Sequence, residues 1–393
     1  MRRTTASLLC GLGSVGLLLV GQPVPAAELM LSGNDQKVTW DDAGKVVNGP
    51  PGGDTVSVID IGTDPANPRI VADLPIMNSI FGPPTNLAIT PDGRIGLVAN
   101  PMRWVQDGQA WKAQPDNKVH VIDLAASPPV AIATVEVGDQ PSGMAISRAG
   151  DLALVANRAS KNVSVLSIKG REVRLVGNVD VGDVVAAVAI TPDGKRALAA
   201  KFPSHKVSLL QIDGEKVTYA GQDIPVGLWP YNVAITPDGK LALTADNGAS
   251  GASDGHVDTV SVIDMEASPP RVVDKVVVGD APEGFAISPK GDLAVAVMLK
   301  GSGAVAKDAW FRNDAGSVVA LRIDGKTVTR GEEVAVGRLP EGAVFTRDGG
   351  HLYVGNFVDG DVSILKVDDG RITNTGQKLK LPGRPASMRG SEP

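Results

Sequence analysis

Cysteine is almost missing from this chain: 393 residues hold one, Cys10, and it falls inside an N-terminal apolar run. A disulfide framework and a cysteine-ligated metal centre are therefore both excluded. Histidine is scarce too, with His120, His205, His256 and His351 scattered along the chain, so neither a zinc nor a copper-cluster site is supported. The chain has no Cys-x-x-Cys-His haem signature, Gly-x-Ser-x-Gly elbow or glycine-rich phosphate loop, and no cofactor is evident. A basic run is also lacking. Acids outnumber bases 44 to 38, for a net charge of −6, which leaves nucleic-acid binding without its electrostatic source.

No apolar run reaches membrane-spanning length. The run from Ala6 to Val20 is about fifteen residues, short for a span. It follows Arg2 and Arg3 and precedes small residues around Val24-Pro25-Ala26-Ala27. That layout predicts a secretory signal peptide over 1–27, a single domain over 28–393, and a periplasmic or secreted location. Aromatics are few, with five Trp, three Tyr and six Phe. The 43% hydrophobic fraction still supplies a core, and that core must be aliphatic.

What is present is a repeat. Asn86-Leu-Ala-Ile-Thr-Pro-Asp-Gly93 recurs as Gly143 to Gly150, Ala187 to Gly194, Asn232 to Gly239, Gly284 to Gly291 and Gly342 to Gly349. Each copy reads as a short apolar strand closed by a turn in which Pro presets φ and Gly takes a positive φ at little cost. A second strand follows, as in Leu152-Ala-Leu-Val-Ala-Asn157. A third alternates as a half-buried strand should, as in Thr259-Val-Ser-Val-Ile-Asp264, and a fourth ends at Val-Gly, as at Val278-Gly279. Four short strands at a period in the forties to fifties mark a β-propeller blade.

The chain start supplies strands two to four of one more blade, and Pro385-Ala-Ser-Met-Arg389 can supply its first. Joining the two ends in one blade closes a ring and removes open sheet edges. The expectation is an all-β, seven-bladed propeller of four-stranded antiparallel blades.

Leu352-Tyr-Val-Gly-Asn356 with Asp361-Val-Ser-Ile-Leu365, and Thr259-Val-Ser-Val-Ile-Asp264, resemble the repeat of the YVTN family of seven-bladed propellers. The resemblance covers essentially the whole mature chain. It implies a scaffold shared by binding proteins, lactonase-like hydrolases and relatives of the propeller subunits of quinoprotein amine dehydrogenases. The chain departs from the Pro-His pair expected at a blade opening in lactonase-like relatives, because its opening prolines are followed by Thr, Ser, Tyr, Glu, Glu and Ala.

Loops between strands two and three share a face, the top, with the connections between blades. They are short at Arg158 to Lys161, Phe202 to His205 and Phe357 to Gly360. They are long at Asp35 to Asp54, Pro101 to Asn117, Asn247 to Asp258 and Leu299 to Gly316. The long ones fall in two neighbouring pairs and predict two walls across a cleft. Trp40, Trp104, Trp111, Trp229 and Trp310 all lie in top loops, with Phe202, Phe357 and Arg103. They read either as miniature loop cores or as a stacking surface for a small molecule, peptide or partner protein.

The residue after each opening proline should ring the channel mouth: Thr85, Ser142, Ala186 (by spacing), Tyr231, Glu283, Glu341 and Ala386. Glu283 and Glu341 come from adjacent blades, with Tyr231 beside them. Such a pair can split its pKa values for acid and base work or hold a hard cation such as Ca²⁺. The bland alternative is that Lys300 or Arg338 neutralises each carboxylate. His256, between Asp254 and Asp258, is a further candidate base.

The ends of the second strands make another ring: Asn34, Asn100, Asn157, Lys201, Asp246, Met298 and Asn356. The asparagines read as turn-closing residues, and Lys201 and Asp246 as ligand candidates. Three functions follow: ligand binding at the top face; a hydrolase or lyase using Glu283, Glu341, Tyr231 and His256; or a partner of a periplasmic redox enzyme.

Overall fold

The computed structural model describes Met1 and residues 28–249 and 252–391. Apart from Met1, the expected signal peptide lies outside the described residues. Among the described residues, seven four-stranded antiparallel sheets form the ring, and no helix is long and apolar enough to cross a membrane.

Blade 3 shows how the repeat becomes structure. Pro141–Ile146 pairs with Leu152–Asn157, that strand with Asn162–Lys169, and that one with Glu172–Asp180. The predicted Pro-Asp-Gly turns close on their own side chains. In the blade 2 turn, Thr90 Oγ1 donates to Asp92 Oδ1 and accepts from the Ile95 amide, while Gly93 sits at φ 71°. Thr191, Thr236 and Thr346 repeat the first bond.

Ring closure is as expected. Arg384–Gly390 pairs antiparallel with Leu29–Asp35, so the last strand is the innermost of blade 1. The core lies between blades and is aliphatic: Leu243, Val262, Ala296 and Leu321, for example, lock blade 5 onto blade 6. Each fully buried Leu or Val among them contributes roughly 1.5–3 kcal/mol.

Two of the long segments are more regular than loops. Residues 95–123 form a hairpin, Ile95–Asp107 against Ala110–Asp123, that projects beyond blade 2. Val38–Trp40 and Val46–Asn48 form a smaller one above blade 1.

The long segments also touch, so they are not two walls across a cleft. Trp104 of the hairpin packs with Val38 and Trp40. The Lys307 amide donates to Asp42 O at 3.0 Å, joining the blade 1 and blade 6 segments, and the Gly301 amide donates to Ser253 Oγ, joining blades 6 and 5. The result is a horseshoe over blades 2, 1, 7, 6 and 5, with its gap above blades 3 and 4.

Candidate functional site

The inner strands approach one another closely just below the channel mouth. The Gly143 amide donates to Ala186 O at 2.8 Å, and the Met144 amide to Thr85 O at 2.9 Å. A Cβ at Gly284 would overlap the Glu341 carbonyl oxygen, and one at Gly342 would meet the Met388 backbone. Glycine after Ser142, Glu283 and Glu341 is thus what lets the blades meet. This waist underlies the side chains of the residues before it.

Glu283, Glu341 and Tyr231 lie within electrostatic reach of one another there. Glu283 is 9% exposed and Glu341 2%. Burial is the main cause that raises the Glu283 carboxyl, to about 7, against the opposing charge of Arg158 and the nearby Asn247 amide. Burial also raises the Glu341 carboxyl well above the usual range, and the charge of Glu283 pushes it further. Burial and mutual repulsion thus favour the protonated forms of the pair, Glu341 being raised further by its neighbour's charge.

Tyr231 is half-buried as a residue, yet its hydroxyl is deep enough that burial pushes it to about 12, with Arg158 acting against the rise. The Arg158 guanidinium lies 5.1 Å from the Phe202 ring centroid and 5.6 Å from that of Tyr231. This is the spacing of a cation held on aromatic faces.

The mouth also holds buried polar atoms with no hydrogen-bond partner in the protein: Thr85 Oγ1, Ser142 Oγ, both polar atoms of the Asn247 amide, Glu341 Oε2 and Ser387 Oγ. Asn247 is close enough to favour ionised Glu283, but neither of its atoms completes a bond of normal geometry. Each unmatched buried group costs about 1–3 kcal/mol. The Asn247 amide beside Glu283 and the unmatched Oε2 of Glu341 leave polar atoms at the carboxyl pair able to meet a ligand. The cations expected to neutralise the pair are committed elsewhere: Lys300 bonds Glu333 and Arg338 bonds Asp359.

The other predicted residues take different places. Lys201 is buried and donates to Tyr219 and Asp223. Asp246 accepts from Thr244, Thr259 and Ser261, with its pKa raised to about 6 by burial. Both fill the same internal slot as the asparagines, where Asn34 Nδ2 reaches Ser57 and Asn356 Nδ2 reaches Ser363. As ligand candidates they are corrected: these positions sit inside the blade, where the side chain bonds the next strand. His256 is exposed and pairs with Asp254 at 3.1 Å, and no contact joins it to the carboxyl pair.

The aromatics mostly form loop cores. Phe357 is fully buried edge-on to Trp40, and Trp104 stacks on Phe81 and under the Lys37 ammonium, 4.2 Å from the ring centroid. Phe202 packs edge-on to Trp229 and Tyr231. Trp111 is half-buried on the hairpin, where Arg103 is exposed and donates to Pro115 O. Trp310 is 80% exposed at the outer rim.

Arg158, Asn247 and Ser387 are members of the mouth that the sequence pattern did not single out. Arg158 and Asn247 each directly follow a second-strand end, which is the position that faces the channel.

Among the described residues no three His, Cys, Asp or Glu side chains converge as a metal would require.

No family model and no curated protein matches the chain. Solved structures do match, at the level of fold. A candidate 6-phosphogluconolactonase from Bacteroides uniformis aligns with a TM-score of 0.69 at 15% identity, over 93% of this chain and 99% of its own. The periplasmic gluconolactonase of Pseudomonas aeruginosa aligns at 0.64 and 20% identity, over 94% and 100%. Hydrazine synthase of Kuenenia stuttgartiensis aligns at 0.56 and 20% identity, over 74% and 78%. The chain shares the seven-bladed propeller fold of these structures. Identities this low carry the fold and leave the chemistry to the site.

Proposed function

We propose that the protein is exported and that its top channel mouth binds a small polar, hydroxyl-bearing molecule and hydrolyses it by proton transfer between Glu283 and Glu341. The observation that carries this reading is the buried carboxyl pair, raised by burial and flanked by unmatched hydroxyl and amide groups. Ionised Glu283 is suited to take a proton from water, and protonated Glu341 to give one to a leaving oxygen. Arg158 is placed to favour negative charge that develops beside Glu283. Small esters and lactones fit a water-activating carboxylate beside a proton-donating one, and a protein of the same fold is a periplasmic gluconolactonase.

The test is proton release from a panel of aldonolactones and small esters. Wild type is expected to turn over a panel member, with activity rising with pH through about 7 as Glu283 ionises. Glu283→Gln and Glu341→Gln are each expected to lose about 10²-fold or more while unfolding at a temperature no lower than wild type. An inert wild type, or variants that keep full activity, would overturn hydrolysis. A thermal shift with a panel member in an inert wild type would leave binding as the function.

A further inference from the structure

The two sides of the channel mouth differ in charge. In a closed ring of seven blades, the one that stands across the channel from the junction of blades 6 and 7 is blade 3. The carboxyl pair therefore faces blade 3, where Ser142 lies at the top of the innermost strand and Arg158 directly follows the second.

Arg158 is unlike other cations of the upper face. Lys37, Lys201, Lys300 and Arg338 each hold a carboxylate. The Arg158 guanidinium has no ion pair among the described residues and rests on the Phe202 and Tyr231 rings. A guanidinium carries five N–H donors, more than the Tyr231 hydroxyl and the side turned to Glu283 can occupy.

Ser142 is fully buried, and its Oγ has no hydrogen-bond partner in the protein. It shares one space with Arg158. A Cβ at Gly82, in the link from blade 1 to blade 2, would stand 3.0 Å from Ser142 Oγ and 3.8 Å from Arg158 Nη1. Gly82 has φ 149°, a conformation that side chains disfavour, so this space stays clear.

We propose that this blade 3 corner is a carboxylate subsite, and that the molecule held at the mouth is a polyhydroxy compound whose carboxylate lies at the end away from the carboxyl pair. The guanidinium fork matches a planar carboxylate in two parallel bonds, and the Ser142 hydroxyl adds a third donor. A phosphate dianion fits less well, because one guanidinium and one hydroxyl leave part of its charge unmatched beside Glu283. Combined with hydrolysis at the pair, on which this part rests, the subsite makes the substrate a sugar lactone with a free carboxylate, an aldarolactone, in preference to a neutral aldonolactone. Arg158 is then the specificity-determining residue.

Calorimetric titration of the whole protein with galactose, galacturonate and galactose 6-phosphate tests the subsite apart from turnover, since the three share a ring, differ only at C6 and contain no carboxylic ester. Galacturonate should bind at least tenfold more tightly than galactose, and more tightly than the phosphate. Arg158→Gln should lose about tenfold on galacturonate and little on galactose, Arg158→Lys should keep part of the preference, and Ser142→Ala should lose roughly three- to tenfold on galacturonate alone. In turnover, galactaro-1,4-lactone should exceed galactono-1,4-lactone by about tenfold in kcat/KM, a ratio that Arg158→Gln erases. The subsite is overturned by no galacturonate binding at millimolar concentration, by equal affinity for galactose and galacturonate, by tighter binding of the phosphate, or by an unchanged preference in Arg158→Gln. Should that variant fail to fold, Arg158→Lys and the wild-type series decide. A preference for galacturonate in a protein that hydrolyses neither lactone would keep the subsite and remove hydrolysis, whereas equal turnover of both lactones with no such preference would do the reverse.

Discussion

Asp246 shows how a single residue ties this fold to pH. It occupies a slot that asparagine fills in other blades, among hydroxyls that satisfy either side chain, but a carboxylate there must be desolvated and its pKa rises to about 6. Folding thus raises this group above its unfolded value. Between about pH 4 and 6 the folded state holds the extra proton, and stability falls as pH climbs through that window. The cost above pH 6 is on the order of 3 kcal/mol. Asp246→Asn is expected to raise the unfolding midpoint at pH 8 and remove this part of the slope, checked by denaturant titrations at pH 4.5 and pH 8.

Residue identity was legible from sequence where a side chain repeats by blade and obscure where it does not. The asparagines declared a shared structural role by recurrence, which the structure resolves as a bond to the next strand. Arg158 is an unrepeated cation that opens a short loop, and only the ring geometry brings it over Phe202 and Tyr231. The buried Lys37, bonded to Asp54 and stacked on Trp104, was equally hidden, because charge in a long loop reads as solvated until packing covers it.

At the scale of elements, the blade was readable because every copy carries the same turn chemistry and strand alternation. The horseshoe was not. Its hairpin over 95–123 alternates weakly, with Arg103, Gln106 and Lys112 on strands that leave the sheet, and its contacts between blades 1, 5 and 6 depend on loops distant in sequence. The closing strand makes the strongest demand. Arg384–Gly390 supplies both the pairing partner of Leu29–Asp35 and part of the channel wall. Truncation before Arg384 is expected to expose a sheet edge and bare Met30 and Tyr353. Loss of a single cooperative transition, with concentration-dependent association by light scattering, is the expected outcome. A monomer with an unchanged midpoint would contradict it.

For the whole molecule, the seven-fold ring converts chain order into proximity. Residues 58 positions apart, Glu283 and Glu341, become neighbours because each opens an adjacent blade, and the glycines after them let the blades close. The same closure leaves two chemically different ends on one axis: a polar mouth with unmatched donors and acceptors, and a lower opening lined by Ile146, Ile190, Ile235 and Ile287. Aromatic scarcity follows from the same design. Tightly stacked blades take chiefly Val, Ala, Leu and Ile, with Phe285, Phe345 and Tyr353 as the buried rings among them, while Trp40, Trp104 and Phe357 build the horseshoe and Tyr231, Phe202 and Trp229 cluster at its gap.

Hydrolysis at the mouth requires the carboxyl pair to hold a proton at neutral pH. Side-chain ¹³C NMR titration of Glu-labelled protein, with Glu283→Gln and Glu341→Gln used for assignment, reads this directly. One carboxyl should show a midpoint near 7 and the other should titrate well above the ordinary range, and Glu283→Gln should lower the Glu341 midpoint as the neighbouring charge is removed. Two carboxyls that both titrate in the ordinary range, each unaffected by loss of the other, would contradict it.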